Sequence, residues 1–242
     1  MMVKRLQNRI ALITGTSRGI GATVARAYAE AGAHVVLVAR TSGGLEEVDD
    51  AIQAAGGSAT LVPLDLTQPE TIEGLGASVF ERWGRLDILV ANAATLGELA
   101  PVGHIAPEVW EQALALNVTA NWRLIRAFDP LLRQSDAGRA IFFTSGATRS
   151  LPPYWGAYSA TKAALEALAL TYAREVERTK IRVNLVNPGP TRTAMRAQAF
   201  PGEDPESLPP PEHLVETMIR LAEPSFTGHG LWVAADQPEP LA

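Results

Sequence analysis

Seven short apolar runs, at residues 10–14, 34–39, 59–63, 86–91, 140–144, 181–186 and 231–234, alternate along the chain with longer segments of helical period. The runs are almost continuously apolar, the pattern of parallel strands covered on both faces. The segments between them, at 19–31, 44–56, 69–83, 107–133, 157–178 and 211–222, are long enough to be crossover helices. This repetition predicts an α/β fold, a single-domain doubly wound parallel sheet of about seven strands with helices on both faces. Right-handed crossovers then place ligands at the carboxyl ends of the strands, where the winding direction switches. The 242 residues suit one such domain, 1–242, and no linker divides them.

Charge and composition narrow the partners. A net charge of −5 with both signs interspersed argues against a general affinity for nucleic acid or anionic membranes. The absence of cysteine excludes disulfides, thiolate chemistry and cysteine metal sites, and no metal is expected. No uncharged apolar run approaches the ~18 residues of a membrane span; the richest, 158–173, is interrupted by Lys162 and Glu166. The basic stretch 1–9 leads straight into a strand without the apolar core of a signal peptide, so a cytoplasmic protein is expected. One compositional break remains, at 190–211, with Pro190, Pro201, Pro205, Pro209, Pro210 and Pro211. Prolines preclude a long helix there and suggest a substrate lid, against the alternative of a passive loop.

After the first strand comes Thr14-Gly15-Thr16-Ser17-Arg18-Gly19-Ile20-Gly21, then a helix. Glycines let backbone approach a pyrophosphate, and the helix N-terminus favours its charge. The spacing is G-x-x-x-G-x-G, distinct from the commoner G-x-G-x-x-G. At the end of the second strand, where an NAD enzyme usually carries an acid, stands Arg40. A guanidinium matches a 2′-phosphate in charge and geometry, and Arg18 can add a second charge, so NADP(H) is the expected cofactor. Asp65 follows the third strand, placed either to accept from an adenine amino group or to cap the helix near Pro69.

Tyr158 and Lys162 stand four apart in a helical segment, so phenol and ammonium share a face. A nearby cation lowers a phenol's pKa from its ordinary ~10 towards the range useful for proton transfer. Such a pair is common by chance; what gives it weight is its company. Ser145 follows a strand, Asn117 is a polar amide in an apolar helix, and Asn92 follows the fourth strand.

Together these motifs resemble the short-chain dehydrogenase/reductase family. The T-G-x-x-x-G-x-G turn, an N-A-G-like Asn92-Ala93-Ala94, the Asn117–Ser145–Tyr158–Lys162 tetrad and Pro188-Gly189 fall in the family's order between about residues 6 and 235. The resemblance implies a Rossmann sheet, with Tyr158 as general acid/base and Lys162 lowering its pKa while holding the nicotinamide ribose. Ser145 would polarise the substrate oxygen, and Asn117 would hold a water in a proton relay. Cofactor contacts are implied at Gly15, Ser17, Arg18, Gly19, Ile20, Gly21, Arg40, Asp65, Leu66, Asn92, Pro188, Gly189 and Thr191. The chain departs from the family at Ala94, which replaces glycine, and in lacking the V-D-G-G ending at 231–236. Thr191 to Arg196, with Phe200-Pro201 and Glu203-Asp204-Pro205, resemble a YciK-like branch of bacterial oxidoreductases.

The expected reaction is reduction of a carbonyl, or oxidation of an alcohol, in a moderately apolar small molecule bounded by Leu96, Ala147, Tyr154, Trp155 and the lid. Arg149, Arg192 and Arg196 are expected at the surface. Helices 107–133 and 157–178 are apolar on more than one face, which suggests a homodimer or homotetramer through them. Epimerisation or dehydration on the same fold, and non-catalytic dinucleotide sensing, stand as the alternatives.

Overall fold

The computed structural model describes residues 4–234. Its strands are β1 (Ile10–Thr14), β2 (His34–Ala39), β3 (Ser58–Pro63), β4 (Ile88–Ala91), β5 (Arg139–Phe143), β6 (Arg182–Asn187) and β7 (Leu231–Ala234). The helices are α1 (Gly19–Glu30), α2 (Ser42–Ala54), α3 (Pro69–Trp83), α4 (Pro107–Leu114), α5 (Ala120–Arg133), α6 (Ala147–Ser150), α7 (Gly156–Glu175), α8 (Ala194–Ala199) and α9 (Val215–Ala222). All seven strands pair in parallel in the order β3-β2-β1-β4-β5-β6-β7. The chain winds outward from β1 to β3, then returns to lay β4 on β1's other side, and that reversal opens a crevice at the strands' carboxyl ends.

Two apolar layers hold the sheet. Ile72 and Val79 of α3, Leu124 and Phe128 of α5, and Leu165 and Tyr172 of α7 cover one face. Val24 and Tyr28 of α1, Leu45 and Ile52 of α2, and Met218 and Leu221 of α9 cover the other. Five of the strands are buried almost throughout, as their apolar runs require; β7 is buried only at Val233 and Ala234, and β3, at the edge, is only partly covered and ends in Pro63.

Three expectations shift. The run at 86–91 becomes a strand only from Ile88, because the Asp87 carboxylate itself accepts the Ile10 amide at 2.8 Å. The helix at 107–133 is interrupted by a wide π turn at Ala115–Thr119, which carries Asn117. The proline-rich 190–211 segment folds into α8 and a short 3₁₀ turn at Pro205–Ser207, Thr193 capping α8 by accepting the Arg196 amide at 3.2 Å. The departure from V-D-G-G at Ala235 and Asp236 lies outside the described residues. Among those described, no helix is long and apolar enough to cross a membrane.

Candidate active site

The 14–21 turn rises from β1 and delivers the chain into α1. Gly15 and Gly19 take positive φ, +72° and +57°, which side chains rarely tolerate. Gly21 is needed for room: a Cβ there would sit 2.2 Å from the Gly15 carbonyl oxygen. No side chain caps α1 and no acid stands in its first turn. This end of the helix is therefore electropositive and open to an anion, as a pyrophosphate requires. Asn92 fixes the turn against β4, its Nδ2 donating to the carbonyls of Thr14 and Gly15 at 2.9 and 3.2 Å. The Thr14 hydroxyl accepts the amides of Asn92 and Ala93, both at 3.0 Å.

At the far end of the crevice Arg40, Asp65 and Thr67 line a cleft of about 320 Å³ with Glu108, Glu111 and Gln112 of α4. Arg40 and Arg18 are exposed, and neither belongs to a salt bridge among the described residues. Asp65 does not cap α3, whose N-cap is Gln68; it accepts from the Thr67 amide and hydroxyl at 2.9 and 2.8 Å. Those two bonds hold its carboxyl below the usual range, with desolvation opposing and Arg40's charge adding a little. Leu66 lies in the core, so its side chain takes no part in the cleft.

The second cavity, about 360 Å³, brings together Ile20, Ser145, Tyr158, Pro188, Gly189 and Thr191 from four segments of the chain. Leu96, Ala147, Trp155, Met195, Ala199 and Phe200 give it an apolar wall. Tyr158 is 8% exposed. Burial pushes its phenol up from 10, against a hydrogen bond with Ser145 that pulls it down. Lys162 is fully desolvated, its Nζ donating to the Phe143 carbonyl at 2.8 Å and lying 5.8 Å from the Tyr158 ring centre. Burial lowers that ammonium to about 8, with Glu166 opposing, so it stays mostly charged at neutral pH. The expected lowering of the phenol by Lys162 is not seen: burial raises it, and the opposing effect comes from Ser145.

Asn117 sits in the π turn with its side chain inward. Its Nδ2 donates to the Thr95 carbonyl at 2.9 Å and the Thr161 hydroxyl at 3.0 Å, while Oδ1 accepts the Thr95 amide at 2.9 Å. Both donors and one acceptor position are engaged, which makes the amide a brace between the π turn, the loop after β4 and α7. A single lone pair is left for the relay water that the resemblance implied.

Several functional neighbours escaped the sequence reading. Asn187 Oδ1 accepts the amides of Gly146 and Gly189 at 3.0 and 3.2 Å, tying the Ser145 loop to the Pro188-Gly189 turn. Asparagine at a strand's end was the available signal. Phe200 packs on Trp155 at 5.7 Å with the rings tilted by 40°, and Trp155 meets Tyr158 edge-on at the same distance. Arg196 lies on the Phe200 face and forms a two-pronged pair with Glu203, both contacts 2.6 Å, so it lines the cavity instead of standing at the surface. Arg149 and Arg192 do lie outward, paired with Glu166 and Glu206. Tyr154, expected on the pocket wall, stands outside it, 59% exposed and with a positive φ of 74°.

Residues 9–204 match the family pattern described as short chain dehydrogenase. The oxidoreductase YciK of Escherichia coli K12 is 39% identical over 219 residues, 89% of this chain and 86% of YciK. Mouse dehydrogenase/reductase SDR family member 4 is 34% identical over 188 residues, covering 78% of this chain and 67% of the mouse protein. A short chain dehydrogenase from Shigella flexneri 2a, solved in complex with NADP, superposes with a TM-score of 0.93 at 37% identity, over 97% of this chain and all of the other. One from Escherichia coli CFT073, in complex with NADPH, gives 0.91 at 36% over 97% and 99%. Turn, sheet order and sequence agree across almost the whole described chain, and the protein is an oxidoreductase belonging to the short-chain dehydrogenase/reductase family.

Proposed function

We propose that the protein is an NADP(H)-dependent carbonyl reductase or alcohol dehydrogenase acting on a moderately apolar small molecule. The observation that carries this is the single cavity joining the Tyr158 and Ser145 hydroxyls to an apolar, aromatic wall and to the Pro188-Gly189 turn. When bound, the nicotinamide supplies hydride chemistry at the carbonyl carbon. The chain's own groups do the rest. Ser145 donates to the substrate oxygen, and Tyr158 delivers the proton to that oxygen as charge develops on it. Lys162 keeps a positive charge beneath the phenol, and Asn117 braces the helix that carries both. The segment at 190–211, with Phe200 against Trp155, covers the substrate. Turnover of NADPH over a panel of alkyl and aryl ketones and aldehydes tests this. Oxidation of NADPH with apolar members is expected; a cofactor-bound protein inert across the panel would leave dinucleotide sensing as the better reading.

NADP(H) preference rests on Arg40 and Arg18, helped by the relatives solved with NADP and NADPH. Arg40→Asp should weaken NADPH binding by about 100-fold, the loss of a charge-assisted pair plus repulsion. NADH binding, measured alongside by fluorescence titration, should change less than about threefold on the same reasoning. Equal loss of both would remove Arg40 from the phosphate site.

We further infer a homodimer or homotetramer through the helices at 107–133 and 157–178. Helix α7 leaves Ala160, Ala163, Ala164 and Ala167 exposed along one side, and Trp110 and Trp122 stand 37% and 45% exposed on α4 and α5. A bulky charge in that seam, Ala164→Arg, should convert the assembly to monomers in light scattering; a wild-type mass equal to the monomer would contradict the inference.

A further inference from the structure

Glu166 is buried in the middle of α7, at 5% exposure, and the chemistry proposed above gives it no role. A carboxylate inside a protein is costly unless its oxygens are bonded, and a leucine would fill the space without that cost. Its partners are therefore informative. Oε1 accepts the Thr144 hydroxyl, the Thr148 hydroxyl at 2.8 Å and the Trp232 indole N–H at 3.0 Å; Oε2 meets Arg149 at 3.1 Å. Thr144 immediately precedes Ser145. Thr148 follows it by three residues, and its hydroxyl also lies 2.9 Å from the Ser145 carbonyl. One oxygen thus grips the serine loop on both flanks, while Trp232 of β7 holds that oxygen from the side.

The position on α7 gives this grip a purpose. Tyr158, Lys162 and Glu166 recur every four residues, so they line up on one face of the same helix. Ser145 comes from a different segment, the loop after β5, yet its hydroxyl must meet the Tyr158 phenol. Glu166, together with the Lys162 bond to the Phe143 carbonyl, ties the serine loop to the helix carrying the tyrosine. Lys162 and Arg149 are the charged groups that face it.

We propose that Glu166 is a positioning residue that sets the Ser145 hydroxyl relative to Tyr158, and so determines turnover without touching substrate. The inference rests on the tyrosine-dependent reduction proposed above. Displacing a catalytic hydroxyl by about an ångström can cost up to about 100-fold in rate. Glu166→Leu should accordingly lower kcat by about 10- to 100-fold, leaving KM and the NADPH dissociation constant within about threefold. Glu166→Gln retains the accepting oxygen and should regain most of that loss. In a Ser145→Ala background, Glu166→Leu should cost almost nothing further, since the hydroxyl it positions is gone. Should Glu166→Leu not fold, Thr144→Val and Thr148→Val each remove one half of the grip and should show the same kcat loss in smaller degree. A readout independent of turnover is the Tyr158 Cζ resonance in protein carrying ¹³C-labelled tyrosine, assigned with Tyr158→Phe. It should move in Ser145→Ala, and in the same direction in Glu166→Leu, or in the threonine variants if those must be used. A Cζ signal that moves in Ser145→Ala but stays at the wild-type position in the grip variants would overturn the proposal. So would a kcat loss that persists in full on top of Ser145→Ala. If no substrate is turned over, the catalytic reading fails by itself, and the resonance still decides whether Glu166 positions the serine.

Discussion

Replacing Tyr158 by phenylalanine should lower kcat by about 10²- to 10⁴-fold, the range attributable to a positioned general acid, while NADPH binding stays nearly intact. The substitution removes one oxygen and leaves the ring's edge-on contact with Trp155 in place. The 8% exposure of the residue means that little water can enter to replace the lost donor. Ser145 remains able to polarise the substrate oxygen, which sets the floor of residual activity. Steady-state rates paired with a binding titration check this, and a variant with wild-type kcat would remove the phenol from the chemistry. A fall in NADPH affinity without a fall in kcat would show that the hydroxyl serves binding alone.

The second large effect lies at the opposite end of the sheet. Asp87, 1% exposed, accepts the Ile10 amide at 2.8 Å, the Ser135 hydroxyl at 2.5 Å and Arg85 Nε at 3.2 Å. Arg9, itself 5% exposed, lies 3.9 Å from the carboxylate, and burial lowers its pKa. Asp87→Ala would strand two buried donors, the Ile10 amide and the Ser135 hydroxyl, and would leave the buried Arg9 guanidinium with the exposed Asp136 as its one carboxylate partner. Breaking a buried pair in this way costs about 3–5 kcal/mol. For a chain of this size that corresponds to a fall in Tm of roughly 10 °C. Asp87→Asn keeps acceptor capacity and should fall between the two. Thermal unfolding followed by circular dichroism decides it; a shift under about 3 °C would mean that Asp136, which holds Arg9 at 3.0 Å, carries the cluster instead.

What was legible in the sequence was whatever depends on neighbours along the chain. Apolar runs and helical periods give the sheet and its two layers, because each element's burial is written in its own residues. The 14–21 turn and the Tyr158–Lys162 spacing belong to the same class. What escaped depends on contacts made across the fold. The π turn at Asn117 is stabilised by Thr95 and Thr161, which local periodicity cannot report. Tyr154 is exposed and Leu66 faces the core through packing at single positions. Glu166 was visible only as a charge interrupting an apolar helix, and its meaning came from Thr144, Thr148 and Trp232.

This cavity is proposed to carry out reduction of a carbonyl with NADPH. The most direct test is to supply NADPH deuterated at C4, as each of the two stereoisomers in turn, with the ketones and aldehydes of the panel, and to weigh the alcohol formed by mass spectrometry. A product carrying a single deuterium on its carbinol carbon is expected with one stereoisomer and none with the other. Alcohol formed without label from either, or NADPH left unconsumed with every member of the panel, would contradict the proposal.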